Sequence, residues 1–231
     1  MIIMKKIYFT LIALLASINM FAQGWPANYS GVMLQGFSWD SYDYSQWTVL
    51  EKQADDMKGF IDLVRLPQSG KCIETTQVMG YKPYYYFNQN SSFGTEAELR
   101  SLIAKFKANG IGAIADVVVN HRNTNGWYTF PAETYKGVTY QMSSTDICKN
   151  DDGGSTATQA KKDGVSLSNN YDEGTDFGGC RDIDHKSANV QKIIKAYLKF
   201  LKEDIGYTGF RYDMVKGFSG THVADYNDAT G

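Results

Sequence analysis

Residues 111–119 read Ile-Gly-Ala-Ile-Ala-Asp-Val-Val-Val, apolar at nearly every position and without alternation. A strand with one wet face would alternate; a near-continuous apolar run is what a parallel strand covered on both faces requires. Parallel strands need long crossover connections, usually helices, so the run commits the chain to repeated βα units. It turns polar at Asn120-His121, and a second apolar segment does the same at Gly209-Phe210-Arg211-Tyr212-Asp213. The rim where strands end is where a (β/α)8 TIM barrel places its chemistry. Arg211 and Asp213 are two apart, so on a strand both point to one face. An arginine beside a carboxylate favours the ionised form, which a carboxylate nucleophile needs.

Strand and helix signals alternate from Gly31 onward. Residues 32–37 read as a first strand, and Trp47, Leu50, Ala54 and Met57 then recur at helical spacing. Residues 60–66 form a second strand closed by Pro67. Thr95-Glu96-Ala97-Glu98 is a capping box, and the helix it opens carries Leu99, Leu102, Ile103 and Phe106 on one face and ends at Gly110. Val190, Ile193, Ile194, Tyr197, Leu198 and Leu201 mark a further helix that stops at Gly206 before the strand ending at Asp213. The first strand-to-strand interval is close to the ~31 residues of one barrel unit, and the second carries a loop excess around residues 68–94. The third is far longer. Its excess matches residues 122–184, a polar stretch rich in Gly and Asp and lacking helical periodicity, read as an irregular insertion after the third strand.

The predicted layout is α/β: a targeting segment over residues 1–22, barrel strands one to three over 23–121, the insertion over 122–184, and the barrel's continuation over 185–231. Lys5 and Lys6 precede a largely apolar run to Ala22. That run is short for a spanning helix, which needs about 20 apolar residues, and it reads as a secretory signal. Periplasmic and extracellular destinations both stay open. Four strands make half a barrel, and residues 219–231 look like a fourth helix cut short, so a partial sequence is expected. The net charge of −2 is interspersed and gives nucleic acid or an anionic membrane no basic surface. Three cysteines allow at most one disulfide, with Cys148 and Cys180 the guessed pair.

Leu34-Gln35-Gly36-Phe37-Ser38-Trp39, Gly80-Tyr81-Lys82-Pro83, Asp116-Val117-Val118-Val119-Asn120-His121, Asp182-Ile183-Asp184-His185 and Arg211-Tyr212-Asp213-Met214-Val215-Lys216-Gly217 occur in that order. Together they resemble the α-amylase family of glycoside hydrolases, in its plant-type and bacterial liquefying branch. The resemblance implies endo-acting, retaining cleavage of α-1,4-glucosidic bonds in starch, glycogen or maltooligosaccharides. It implies Asp213 as nucleophile, Arg211 as the residue orienting it, and Tyr81 and His121 on the sugar at the cleavage point. A lone His would otherwise be read as structural. Lys216 matches a contact on the leaving-group side, where a solvated lysine is the plain alternative. Gln35 ends the first strand facing the cleft, with a structural role equally open.

The resemblance also implies calcium between barrel and insertion. Asn120, Asp172, Asp182 and the Gly217 carbonyl match one site, and Asp151 and Asp176 match a neighbouring one, all oxygen donors suited to a hard cation. Residues 128–145 hold only Glu133 as an acid, so a further cluster known in that branch is not expected. Phe87-Asn88 replaces a Tyr-Asp pair common there. The family's general-acid Glu lies beyond the fifth strand and its His-Asp pair beyond the seventh, outside these 231 residues. The fragment is therefore expected to be inactive, with a sibling transglycosylase or α-glucosidase and a non-catalytic glucan-binding remnant as other readings.

Overall fold

The computed structural model describes residues 28–231; the expected targeting segment lies outside the described residues. Strand β1 is Met33–Gln35, helix α1 Trp47–Met57 and strand β2 Leu63–Leu66. Helix α1 buries Trp47, Leu50 and Ala54, the apolar stripe of its sequence. Helix α2, Glu96–Ala108, is opened by Thr95, whose hydroxyl accepts from the Glu98 amide while the Glu98 carboxylate accepts from the Thr95 amide at 2.7 Å. That reciprocal cap satisfies two donors the first helical turn would leave bare. Gly110, at a φ of 76°, then lets the chain reverse into strand β3, Gly112–Val117.

Between β3 and the next barrel element lie β4 (His121–Arg122), β5 (Glu133–Tyr135), β6 (Val138–Tyr140), helix α3 (Ser155–Asp163) and β7 (Arg181–Asp182). This segment is more regular than its sequence suggests. Strands β5 and β6 form a hairpin whose two turn residues, Lys136 and Gly137, both sit at positive φ, as a two-residue hairpin turn demands. Helix α3 was invisible to apolar periodicity because it buries only Thr156 and Ala160. Antiparallel pairing of β4 with β7 brings His121 opposite Asp182 and closes the excursion on itself.

Helix α4, Ala188–Lys199, is capped by Ser187 and buries Val190, Ile193, Ile194, Tyr197 and Leu198. It runs on through a wider π-type turn, Phe200–Ile205, to Gly206 at a φ of 102°. Strand β8, Gly209–Tyr212, and helix α5, Gly220–Thr230, follow. Strands β1, β2, β3 and β8 make one all-parallel sheet in that order. Chain order and sheet order agree, which is the arrangement of the first half of a (β/α)8 barrel. The helices share one apolar core with the sheet, including Trp47, Leu66, Leu99, Phe106, Val117 and Ile194.

Strand β1 is an edge; its Met33 and Leu34, and Val32 before it, are exposed. The guessed Cys148–Cys180 disulfide is not formed: Cys72, Cys148 and Cys180 are all buried, free thiols. Burial pushes the Cys72 thiol up to about 11 and Cys180 to about 12, far from a reactive thiolate. No helix among the described residues is long and apolar enough to cross a membrane. Two substitutions separate local from tertiary stabilisation. Thr95→Ala, which removes a cap, should cost about 1 kcal/mol, and Leu102→Ala, in the core, about 2–5 kcal/mol, both read from denaturant midpoints.

Candidate active site

The register of the sheet assembles a charged cluster at its C-terminal rim. Asp116 pairs across β3–β8 with Arg211, and Arg65 lies on the neighbouring β2. The Asp116 side chain is wholly buried, and both its oxygens are used. Oδ2 accepts from Arg65 Nη2 at 2.5 Å, from Arg65 Nε at 3.2 Å and from the Tyr81 hydroxyl at 3.0 Å. Oδ1 accepts from Arg211 Nη1 at 2.9 Å, and the same nitrogen donates to Asp213 Oδ1 at 2.5 Å. Two guanidiniums and two carboxylates thus balance charge for charge. An unpaired charge in such a place would carry a penalty of several kcal/mol.

Asp213 follows β8 directly, its amide donating to the Val117 carbonyl at 2.8 Å, so the sheet ladder fixes its backbone. Met214, at a φ of 48°, then turns the chain sharply away. The Asp213 side chain is about one-fifth exposed, and Oδ2 has no hydrogen-bond partner among the described residues. One oxygen is held and the other is left unpaired. The Tyr81 ring lies parallel to that of Trp39 within 1°, centroids 6.1 Å apart, and Trp39 is 70% exposed. Burial, reinforced by the Asp116 carboxylate, raises the Tyr81 hydroxyl far above its ordinary pKa, so it acts as a donor. Gln35 accepts from Arg65 Nη1 at 3.3 Å and donates to the Phe37 carbonyl at 3.0 Å. Lys216 is exposed on the turn after β8, and its carbonyl accepts from the Thr175 amide at 3.1 Å.

His121 is fully buried and stacked on Phe177, ring centroids 3.9 Å apart. Nε2 lies 2.9 Å from the Tyr81 carbonyl, which can only accept, so Nε2 carries the proton. Nδ1 then accepts from the Asn120 amide at 3.3 Å. Burial lowers its pKa, against the bond to Tyr81 and the Asp213 charge, which agrees with a neutral ring. Both nitrogens are engaged by protein partners, and the ring anchors the backbone of Tyr81.

Behind the cleft lies an acidic patch. One carboxylate oxygen from each of Asp151, Asp176 and Asp182 falls within 4.8 Å of the others. Asn120 donates to Asp182 Oδ1 at 2.9 Å, and a Cβ at Gly217 would collide with Asn120 Oδ1, so the turn after β8 presses on this patch. Asp182 bridges what the sequence reading kept as two sites. Burial, then proton sharing with Asp176 and the charges of Asp172 and Asp151, hold its pKa far above the usual carboxylate range. Asp172 is raised by burial, and its Oδ2 is buried without a hydrogen-bond partner among the described residues. Asp176 is lowered despite burial, because Asp182 and the Asp152 and Gly153 amides donate to it. Asp151 already accepts from Arg181 Nη1 at 3.0 Å and from the Asp182 amide at 2.6 Å; crowded carboxylates that share a proton are oxygen donors of the kind a hard divalent cation takes.

The family profile described as "Alpha amylase, catalytic domain" matches residues 72–230, more than half of the chain. The chain belongs to the alpha-amylase family. Among curated relatives, Alpha-amylase 3, chloroplastic, from Arabidopsis thaliana is 33% identical over 86% of this chain and 21% of its own length. The Alpha-amylase of Aeromonas hydrophila is 31% identical over 89% of this chain and 44% of its own length. An alpha-amylase I structure from Eisenia fetida, in complex with maltohexaose, superposes with a TM-score of 0.63 at 17% identity, covering 90% of this chain and 43% of that one. The Malbranchea cinnamomea alpha-amylase gives 0.58 at 21% identity, over 87% and 44%. The chain therefore spans less than half the length of these relatives.

Sequence reading missed Arg65 and Asp116 as members of the charged cluster at the sheet rim. The available signal was Arg65 and Asp116, charges of opposite sign near the ends of two largely apolar adjacent strands, which parallel pairing brings together. Because Asp116 accepts from both arginines, Asp116→Asn should destabilise the chain by about 3–5 kcal/mol. Lys216→Ala should stay within about 0.5 kcal/mol, both by denaturant unfolding.

Proposed function

We propose that this chain carries half of the cleft of an enzyme that hydrolyses internal α-1,4-glucosidic bonds of starch or glycogen with retention. The observation that carries the reading is Asp213, with Oδ1 fixed by Arg211 and Oδ2 unpaired among the described residues. In a retaining glycosidase such a carboxylate attacks the anomeric carbon and forms a covalent glycosyl-enzyme, which water then hydrolyses. Arg211 holds the attacking group in one rotamer, and Asp116 holds Arg211. Tyr81 supplies an aromatic face for the sugar at the cleavage point, and Trp39 extends it. His121 positions Tyr81, Gln35 fixes Arg65 at the first strand's end, and Lys216 stands on the leaving-group side.

The polypeptide extended through the remaining barrel strands should release reducing ends from soluble starch, with the α-anomer formed first by NMR. Asp213→Asn should cut that rate by roughly a thousandfold or more. The 231-residue chain should show no robust turnover, since general-acid assistance, typically worth ~10²–10⁴-fold, is not among its residues. Robust starch hydrolysis by the short chain would refute this assignment of roles. A glucan-binding role without catalysis is the second reading, favoured by the exposed Trp39 beside Tyr81. Saturable binding to insoluble starch by an extended protein that never hydrolyses it would establish that reading. Export follows from the leader-like residues 1–22, to the periplasm or the medium.

Calcium would be held by Asn120, Asp172, Asp182 and the Gly217 carbonyl, with Asp151 and Asp176 alongside, and would neutralise the patch while tying it to the turn after Asp213. Without metal, Asp182 resists ionisation in the folded chain but not in the unfolded one. Its contribution is therefore fully favourable below the usual carboxylate range and is lost as pH rises towards its elevated folded value. Chelation at pH 8 should lower the thermal midpoint. In chelator, Asp182→Asn should raise the midpoint at pH 8 relative to the parent and flatten its fall with pH. Midpoints indifferent to calcium would show the ligands to be misassigned.

A further inference from the structure

The three thiols differ in what surrounds them. Ile147 and Ile183 form an antiparallel bridge, and the Cys148 amide donates to the Asp182 carbonyl at 2.9 Å. Cys148 therefore lies opposite Asp182, with Cys180 two residues further along as a diagonal neighbour. Diagonal neighbours in such a pair are roughly 7–8 Å apart, whereas the Cβ atoms of a disulfide are roughly 3.5–4.5 Å apart. Cys148 also faces acidic groups, Asp172, Asp184, Asp182 and Asp151. That register takes Cys148 away from Cys180.

Cys72 reaches Cys180 from the other flank, through the connection that carries Tyr81. The Lys71 amide donates to the Asn88 carbonyl at 2.8 Å, and the Lys71 carbonyl accepts from the Tyr84 and Tyr85 amides at 3.3 and 2.9 Å. Cys72 is thereby pinned along residues 82–88. Across from it, β4 pairs with β7 and sets Arg122 opposite Arg181. Arg122 donates to the Tyr84 carbonyl from Nε at 3.1 Å and Nη2 at 2.8 Å, and the Asn123 amide donates to the Pro83 carbonyl at 2.8 Å. Cys180, which precedes Arg181, is thereby brought to the same stretch of chain.

Lys82 lies between the two thiols. Its backbone bonds the Cys72 thiol, and its Cε stands 3.6 Å from the place a Cβ would occupy on Gly179, the neighbour of Cys180. Cys72 is among the groups whose charge raises the Cys180 thiol, so the two are electrostatic neighbours. Both are shut away from solvent, at 4% and 6% exposure.

We propose that Cys72 and Cys180 are a disulfide pair that closes as the chain folds in an oxidising medium, joining the Tyr81 connection covalently to the insertion. One cysteine thiolate attacks a low-molecular-weight disulfide such as oxidised glutathione and releases one of its thiols. The second cysteine attacks the mixed disulfide, forms the S–S bond and releases the other. The two cysteines give up two electrons and two protons, and the reagent leaves as two thiols. Closure precedes burial, because burial holds both thiols protonated in the finished fold. Of the three possible pairings this one closes the longest loop, whereas an unfolded chain favours the shortest, Cys148 with Cys180. The pairing is independent of the chemistry at Asp213, and a chain that never cleaves a glucan would form the same bond.

The test refolds the 231-residue chain with reduced and oxidised glutathione, blocks remaining thiols with iodoacetamide and maps the unreduced digest by mass spectrometry. The expected main product is a peptide pair joining Cys72 to Cys180, with Cys148 alkylated. The same oxidation in denaturant should favour Cys148 with Cys180, so the change of partner reports the fold. Cys148→Ser should keep the linked pair, and reductant should lower its thermal midpoint by about 5–10 °C. Reductant should leave the midpoint of Cys72→Ser in place. Three cysteines alkylated or capped by glutathione in the refolded chain, or a main product that includes Cys148, would overturn the pairing. So would a Cys148→Ser midpoint indifferent to reductant. The peptide map of the parent chain decides the connectivity even where a variant fails to fold.

Discussion

A single carboxylate, that of Asp116, is the interaction on which the cleft depends. It is wholly buried at the rim of a parallel sheet and accepts from guanidiniums on both neighbouring strands and from Tyr81. Each of those partners has a second task. Arg211 reaches on to Asp213, Arg65 to Gln35, and Tyr81 presents its ring beside Trp39. Removing the hub would leave two cations facing each other in a low-dielectric wall, where desolvation is not repaid. The cleft is therefore better described as one network than as a set of independent contacts. Pre-organisation of this kind is what lets a carboxylate react without first being steered into place.

Much of the fold was legible because each level of the sequence agreed with the next. The apolar run ending at Val119, the capping box at Thr95 and the stripe from Val190 to Leu198 all reappear as β3, α2 and α4. The insertion was less legible for a physical reason. Helix α3 and the Lys136-Gly137 hairpin are stabilised by turn geometry, polar bonds and closure of β4 on β7 rather than by a broad apolar face. Periodicity reports burial, so elements that bury little stay hidden from it.

The site was legible in the same uneven way. The two-residue spacing of Arg211 and Asp213 set their common face, and the structure brings them together. The acidic residues of the insertion converge with Asn120 and Gly217, although through Asp182 as a shared member rather than as separate groups. His121 could not be placed from its motif alone. Its two nitrogens are engaged by a carbonyl and an amide, one of them forty residues away in sequence. Arg65 belongs to no motif quoted from the sequence and gains meaning only when β2 lies beside β3.

The contact between Gly217 and Asn120 has a consequence for how the protein assembles. Asn120 is held by Asp182, and Asp182 by Asp151, so the turn that follows Asp213 leans on residues thirty or more positions apart within the insertion. That turn emerges from the ribosome after the insertion is complete. The excursion can thus be finished first and serve as the mould against which residues 213–217 are set. Damage within it would appear as a misplaced Asp213 turn even where the sheet itself had formed correctly.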